Sequence, residues 1–234
     1  MRIAVIPARG GSKRIPRKNI KLFCGKPMLA WSIEAAKKSG LFERIICSTD
    51  DEEIAVVARE YGAETPFLRP AELSDDHTGT IPVVAHAIKK LQNSENKIDI
   101  VCCIYATAPF IQEVDLKNSL EQLEKEDANY CFAVTNYPFP IQRAIRITKE
   151  NRCEMLQPDM FNMRSQDLDE AYHDAGQFYW GKVKAWLKNK SIFSSESIPY
   201  VLPRFRVQDI DKPEDWVRAE LMYEAYKKLQ NFIS

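Results

Sequence analysis

Ile3-Ala4-Val5-Ile6-Pro7-Ala8-Arg9-Gly10-Gly11-Ser12-Lys13-Arg14-Ile15-Pro16-Arg17-Lys18-Asn19 decides how the rest of this chain is read. Its first four residues form a short, wholly apolar run, the pattern of a strand buried on both faces. Pro7 ends that run. Gly10 and Gly11 then allow the backbone to turn its N–H groups toward an anion with no Cβ in the way. Arg9, Lys13, Arg14, Arg17 and Lys18 add five positive charges within ten residues. A triphosphate needs both features: fixed backbone donors, and mobile cations that follow charge onto a departing group.

Outward from this loop, short apolar runs alternate with stretches of helical period. A helix is expected from Pro27 toward Gly40, a strand over Arg44–Ser48, and a helix over Asp51–Tyr61 that stops at Gly62. Further helices are expected over Ile81–Leu91 and Leu116–Glu126, with strands over Ile98–Ile104 and Tyr130–Val134. Strand and helix in alternation imply an α/β fold whose mostly parallel sheet is covered on both faces. Residues Asn136–Tyr172 break the pattern with Pro138, Pro140 and Pro158 and no helical period; they read as an inserted lobe or arm. The sheet pattern resumes over Gln177–Gly181 and Arg204–Ile210, and an amphipathic helix closes the chain from Pro213. A single domain over residues 1–234, with the lobe at 136–172, is the expected organisation.

Composition narrows the function classes. The 33 Lys and Arg balance the 33 Asp and Glu, for a formal net charge of zero, so nucleic acid and membrane surfaces are not expected partners. Six cysteines include no Cys-x-x-Cys pair, and Cys102-Cys103 sit inside an apolar run, which reads as small buried hydrophobes. With no signal-like start and no long apolar span, a cytoplasmic location is expected. The spacing of the loop excludes both the Walker pattern and the dinucleotide fingerprint, so a nicotinamide oxidoreductase is disfavoured. A solvated basic turn is the plain alternative, and the strand and double glycine argue against it.

The loop Ala8–Asn19 resembles the A-R-x-x-S-K-x-x-x-x-K-N signature of the CMP-sugar synthetases, the acylneuraminate cytidylyltransferases. That resemblance implies a Rossmann-like, glycosyltransferase-A-like nucleotidyltransferase, a three-layer sandwich that uses CTP and Mg2+. It puts Ala8, Arg9, Gly10, Gly11, Ser12, Lys13, Lys18 and Asn19 at the nucleotide. The segment Arg69–Leu73 with Thr80 resembles the cytidine-side loop, and Thr107 with Pro109 matches a further segment. Where sialic-acid enzymes carry a sugar-contacting glutamine, this chain has Tyr105.

Asp209-Ile210-Asp211 leaves two readings open on spacing alone. On a continuing strand the carboxylates share one face and suit a hard cation; alternatively, Asp211 caps the helix that begins at Pro213. The resemblance favours the first, because the family carries its magnesium ligands in such a segment. For an acidic sugar, the residues point to Arg143 or Arg164 for the carboxylate and to Gln142, Gln166 and Gln177 for polar substituents. Tyr179 is placed beside them, since alternation along Gln177–Gly181 turns Phe178 and Trp180 to the core and Gln177 and Tyr179 toward a cleft. Together with His173–Trp180, these segments resemble the branch of the family that acts on pseudaminic acid.

The implied reaction is attack of the sugar's anomeric hydroxyl on the α-phosphorus of CTP. Arg9 and Lys13 would neutralise the pyrophosphate, and Asp211 would take the proton. Other nonulosonates (legionaminate, N-acetylneuraminate) or the eight-carbon 3-deoxy-octulosonate are the alternative sugars, and a non-catalytic CTP-binding module is the alternative class. The family also implies a homodimer through 136–172.

Overall fold

The computed structural model describes residues 1–92 and 97–233. Strand β1 (Arg2–Pro7) lies inside the central sheet, and Ile3 through Ile6 are each fully buried. Burial of the branched side chains of Ile3, Val5 and Ile6 stabilises the fold by roughly 1.5–3 kcal/mol each. After the loop come a two-residue antiparallel pair, β2 (Leu22–Phe23) and β3 (Lys26–Pro27), then α1 (Met28–Ser39), which ends on Gly40 in the left-handed conformation at φ 66°. Strand β4 (Arg44–Ser48) leads to α2 (Glu52–Glu60), whose first turn is capped by Asp51 accepting from the Ile54 N–H. Helix α3 (Thr80–Leu91), strand β5 (Ile100–Ile104), helix α4 (Glu113–Lys125) and strand β6 (Tyr130–Asn136) follow.

The arm carries a small hairpin of β7 (Ile145–Ile147) and β8 (Cys153–Met155), paired only with each other among the described residues. The chain returns through the long strand β9 (Tyr172–Lys182), short α5 (Val183–Leu187), strand β10 (Ser197–Val201) and α6 (Pro213–Ile233).

Sheet order is β10-β6-β9-β5-β1-β4. Every neighbouring pair is parallel except those of β9, which runs antiparallel to both β5 and β6. Alternation along each strand divides the core. Ala4, Ile6, Cys102 and Ile104 pack with Leu29, Ile33, Ile54, Leu116 and Leu120 of α1, α2 and α4. Ile3, Val5, Val101 and Cys103 face the opposite layer, with Val84 and Ile88 of α3 and Trp186 of α5. A third cluster joins Ile15, Phe23, Met28 and Phe110 to Ile210 and Trp216. The architecture is a three-layer α/β sandwich with a mostly parallel sheet.

Two expectations are corrected. Residues Arg204–Ile210 are not a strand: Arg204–Arg206 form a single tight turn, and 207–211 follow outside any ladder. Strand β10, five residues long and centred on Pro199, takes the pairing beside β6 instead. It is an edge strand, where a proline's missing N–H costs no ladder bond. Gln177–Gly181 is also less simple than alternation implies. Phe178 and Trp180 join one core layer and Tyr179 the other, so over Gln177–Gly181 both faces of β9 are covered and neither is a cleft wall.

Candidate active site

The loop between β1 and β2 is tied down at both ends. Ala8 N–H extends the ladder to Ser48 O at 2.9 Å, and the buried Asn19 amide donates to Arg9 O at 2.9 Å. Gly10 is required here by close packing, because a Cβ would come within 2.7 Å of an Asp51 carboxylate oxygen. Its N–H donates to Asp50 Oδ1 at 2.9 Å, so this donor is already occupied, unlike the free phosphate donor expected from the glycine pair. A Cβ at Gly11 would meet nothing within 4 Å.

Every loop cation has an internal carboxylate partner. Arg9 and Lys13 converge on Asp76 at 2.5 and 2.6 Å. Those two bonds, Lys13 first, hold the Asp76 carboxyl down at about 2. Arg14 reaches Asp211 at 3.0 Å, and Lys18 lies 3.4 Å from the same carboxylate while donating to Ile210 O at 2.7 Å. Arg17 turns away to Asp51 and Glu53.

These residues border a cleft of about 470 Å³ lined by Arg9, Ser12, Lys13, Lys18, Asn19, Thr80, Tyr105, Thr107 and Asp211. Ala8, Gly10 and Gly11 form the adjacent backbone without lining it. Thr80 opens α3, whose N-terminus has no side-chain cap, so its first N–H groups and the positive end of its dipole are available to an anion. Arg69 lies beside this cleft in a smaller one that shares Arg9, Asp76 and Thr80. Only 5% exposed, Arg69 has an Nη2 that pairs with Asp50 Oδ1 at 3.7 Å, too far for a hydrogen bond, and burial lowers its affinity for its proton. An anion or carbonyl oxygen would satisfy that atom.

A second cleft, about 790 Å³, shares Tyr105 with the first and is lined further by Asn136, Asp174, Gly176, Arg204, Asp209 and Arg218. The two aspartates therefore straddle the boundary: Asp211 lines the first cleft, Asp209 the second, and Ile210 between them is 1% exposed in the core. Alternation about a buried residue, expected of a strand, is retained by an extended stretch without a ladder. Asp211 does not cap α6; Asp215 Oδ2 accepts the N–H groups of Asp211 and Lys212 instead.

The pair fits a hard divalent cation. Burial first, and then the neighbouring Asp211, push the Asp209 carboxyl above its ordinary range, and a cation between the two would relieve both effects. No cluster of three or more His, Cys, Asp or Glu is assembled among the described residues, so phosphate oxygens and water would complete the shell.

The expected sugar contacts separate into three groups. Tyr105 is at the shared wall. Gln177 and Tyr179, each 3% exposed, lie inside the sheet: the Gln177 amide donates to Arg206 O, and the Tyr179 hydroxyl reaches Tyr105 and Asp174. Gln142, Arg143, Arg164 and Gln166 line neither cleft of this chain. On the arm, Gln142 donates to Asp169 O at 2.9 Å, Arg143 to Met163 O, and Arg164 pairs with Asp167 at 2.7 Å. Sequence reasoning missed Arg204 and Arg218, two arginines that line the second cleft and whose guanidiniums make no hydrogen bond or ion pair among the described residues. It also missed Asp76 and Asp174. Nothing in their spacing signals a role, because the fold brings each from a distant segment.

Comparison with known proteins shows what the chain is similar to. The sequence profile of the cytidylyltransferases matches residues 3–231. The chain is 47% identical over 223 residues to a pseudaminic acid cytidylyltransferase of Campylobacter jejuni, covering 95% of this chain and 96% of that one. It is 34% identical over 229 residues to the CMP-N,N'-diacetyllegionaminic acid synthase of Legionella pneumophila, with 95% and 96% covered. In fold it is similar to a CMP:2-keto-3-deoxy-manno-octonic acid synthetase solved with CTP, at TM-score 0.69 and 15% identity over 96% of this chain and 99% of that one. The profile match over residues 3–231 and the likeness to these relatives lead to one conclusion: the chain belongs to the cytidylyltransferase family.

Proposed function

We propose that this cytidylyltransferase transfers CMP from CTP to the anomeric hydroxyl of pseudaminic acid and releases pyrophosphate. One observation carries the reading: two clefts meet at Tyr105 and at the Asp209–Asp211 pair, so two substrates can face each other across one carboxylate site. The nucleotide belongs in the first cleft, with Arg9, Lys13 and the α3 N-terminus on its phosphates and Arg69 on the cytidine side. The sugar belongs in the second. There Arg204 and Arg218 replace Arg143 and Arg164 as our candidates for its carboxylate, since a guanidinium fork matches that group.

Asp209 and Asp211 would hold the divalent cation that this chemistry uses, and magnesium is the ion we assign. When bound, that ion neutralises phosphate charge and makes the attacking hydroxyl more acidic. The chain's own groups do the rest. Arg9 and Lys13 exchange Asp76 for phosphate oxygens and then follow charge onto pyrophosphate. Asp211, facing the nucleotide cleft, accepts the hydroxyl proton.

The 136–172 lobe would join two copies, as one insertion within a single catalytic unit. Phe139 (79% exposed), Ile147 (70%) and Phe161 (70%) present an apolar surface that favours burial against a second chain. Sedimentation as a monomer at working concentration would contradict this. No described helix is long and apolar enough to cross a membrane, and a cytoplasmic location is part of the proposal.

Substrate choice is tested by competing pseudaminic acid, N,N'-diacetyllegionaminate and N-acetylneuraminate for limiting CTP and weighing the CMP-sugar products by mass spectrometry. Dominance of the CMP-pseudaminate product supports the assignment. Dominance of another sugar overturns it while leaving the reaction in place.

A further inference from the structure

Behind the wall shared by the two clefts, three side chains form a directed chain of hydrogen bonds. The Tyr179 hydroxyl donates to Asp174 Oδ2, and its oxygen lies 2.8 Å from that of Tyr105. Each phenol has one proton. Tyr179 gives its own to Asp174, so the bond between the phenols must be donated by Tyr105. The Tyr105 proton is therefore turned inward, and its oxygen is left as an acceptor at the wall where Tyr105 lines both clefts.

A break in the sheet builds this arrangement. On β6 only Ala133 separates Phe132 from Val134, whereas on β9 residues 175–178 separate their partners Tyr179 and Asp174. Gly176 makes the bulge possible at φ +60°, and a Cβ there would touch the Tyr105 ring at 3.5 Å. Folded back in this way, Asp174 accepts the Gly176 N–H at 3.0 Å with one oxygen and the Tyr179 hydroxyl with the other. Tyr179 is 3% exposed, so a ligand meets the chain through Tyr105 and at Asp174, which also lines the second cleft.

We propose that Asp174 is a positioning residue for sugar selection: through Tyr179 it fixes the Tyr105 proton inward, so that Tyr105 accepts a hydrogen bond from an N–H or O–H of the sugar. The inference rests on the second cleft being the sugar site. Loss of Asp174 frees the Tyr179 proton to donate toward Tyr105, whose own proton then turns outward and opposes a donor on the ligand. An unmatched donor of this kind weakens binding by about tenfold.

The test compares KM for sugar and for CTP in wild type, Asp174→Ala, Asp174→Asn, Tyr179→Phe and the Ala/Phe double variant. The sugar used is whichever of the three nonulosonates the wild type turns over fastest. That ranking tests the substrate assignment; the variant ratios test this inference separately. We expect Asp174→Ala and Tyr179→Phe each to raise the sugar KM about tenfold with the CTP KM within about twofold. Asn, which keeps an acceptor oxygen for Tyr179, should restore most of the loss. The double variant should be no worse than either single one, because both cut the same chain. Equal effects of Ala and Asn, a parallel rise in the CTP KM, or losses that multiply in the double variant would each overturn it. Should Asp174→Ala fail to give the wild-type far-ultraviolet spectrum, the Asn and Phe variants decide on the same criteria. Silence with all three sugars would overturn the substrate class and this inference together.

Discussion

Lys18 joins the basic loop to the paired carboxylates across 192 residues of sequence, donating to Ile210 O at 2.7 Å and lying 3.4 Å from Asp211 Oδ1. The lysine is largely covered, with 19% of its side chain exposed, so this link is less screened than a surface pair. It sets the distance between the phosphate-binding side of the cleft and the proposed metal side.

Lys18→Ala should therefore lower kcat/KM for CTP by about 10- to 100-fold, the range of one charge-assisted hydrogen bond. The half-saturating magnesium concentration should stay the same or fall, because Asp211 loses a competing cation. A variant that needs far more magnesium would contradict the assigned geometry.

Asp76 occupies the two cations that the triphosphate needs. Asp76→Asn should lower the dissociation constant for CTP by about two- to fivefold, the scale of exposed ion pairs. Isothermal calorimetry measures this directly. Weaker binding in the variant would make Asp76 a nucleotide contact rather than a competitor.

Asp209→Ala and Asp211→Asn should each reduce turnover by at least about 100-fold at saturating magnesium. Chelation of divalent ions should do the same to wild type, and both effects should leave CTP binding measurable by equilibrium dialysis. Near-normal turnover by Asp211→Asn would remove it from both the metal and the proton transfer.

The segment bearing these aspartates is anchored by a buried pair. Arg206 grips Asp115 with both terminal nitrogens, and Asp115 is 2% exposed. Asp115→Ala leaves that guanidinium buried and uncompensated, at about 3–5 kcal/mol. The thermal midpoint should fall by about 10 °C, read by calorimetry.

Alkaline titration probes the Tyr105 chain. Burial is the main cause that pushes Tyr105 and Tyr130 up to about 12, and burial raises Tyr179 and Tyr223 further. Folding thus favours the protonated phenols over the unfolded chain, where they ionise near the ordinary value of 10. Their contribution to stability is fully present below that pH and, for Tyr105 and Tyr130, is lost as pH rises through about 12. Ultraviolet absorbance at pH 11 should show these four still protonated while the fold persists.

Much of the fold was legible because local signals and tertiary demands agreed. Ile3–Ile6, Gly40 at the end of α1 and Asp51 before α2 each do locally what the sheet requires. The edge strand at Pro199 was hidden by its proline, and the 204–211 segment looked like a strand because alternation survives without a ladder. At the site, the cluster of loop cations was visible in the short spacing after β1, whereas the spacing of Asp209 and Asp211 left two readings open and the family resemblance favoured one. Arg204, Arg218, Asp76 and Asp174 could not be read from spacing, since each reaches its cleft only through folding of remote segments. Arg143 and Arg164 line neither cleft of this chain and bond within their own segment, a placement that short spacing does not reveal.

The most direct test follows pyrophosphate release from purified protein given CTP, magnesium and pseudaminic acid. The account predicts release that requires all three and is much slower with N-acetylneuraminate. Binding of CTP without release in the presence of any nonulosonate would contradict it and make the chain a nucleotide-binding module.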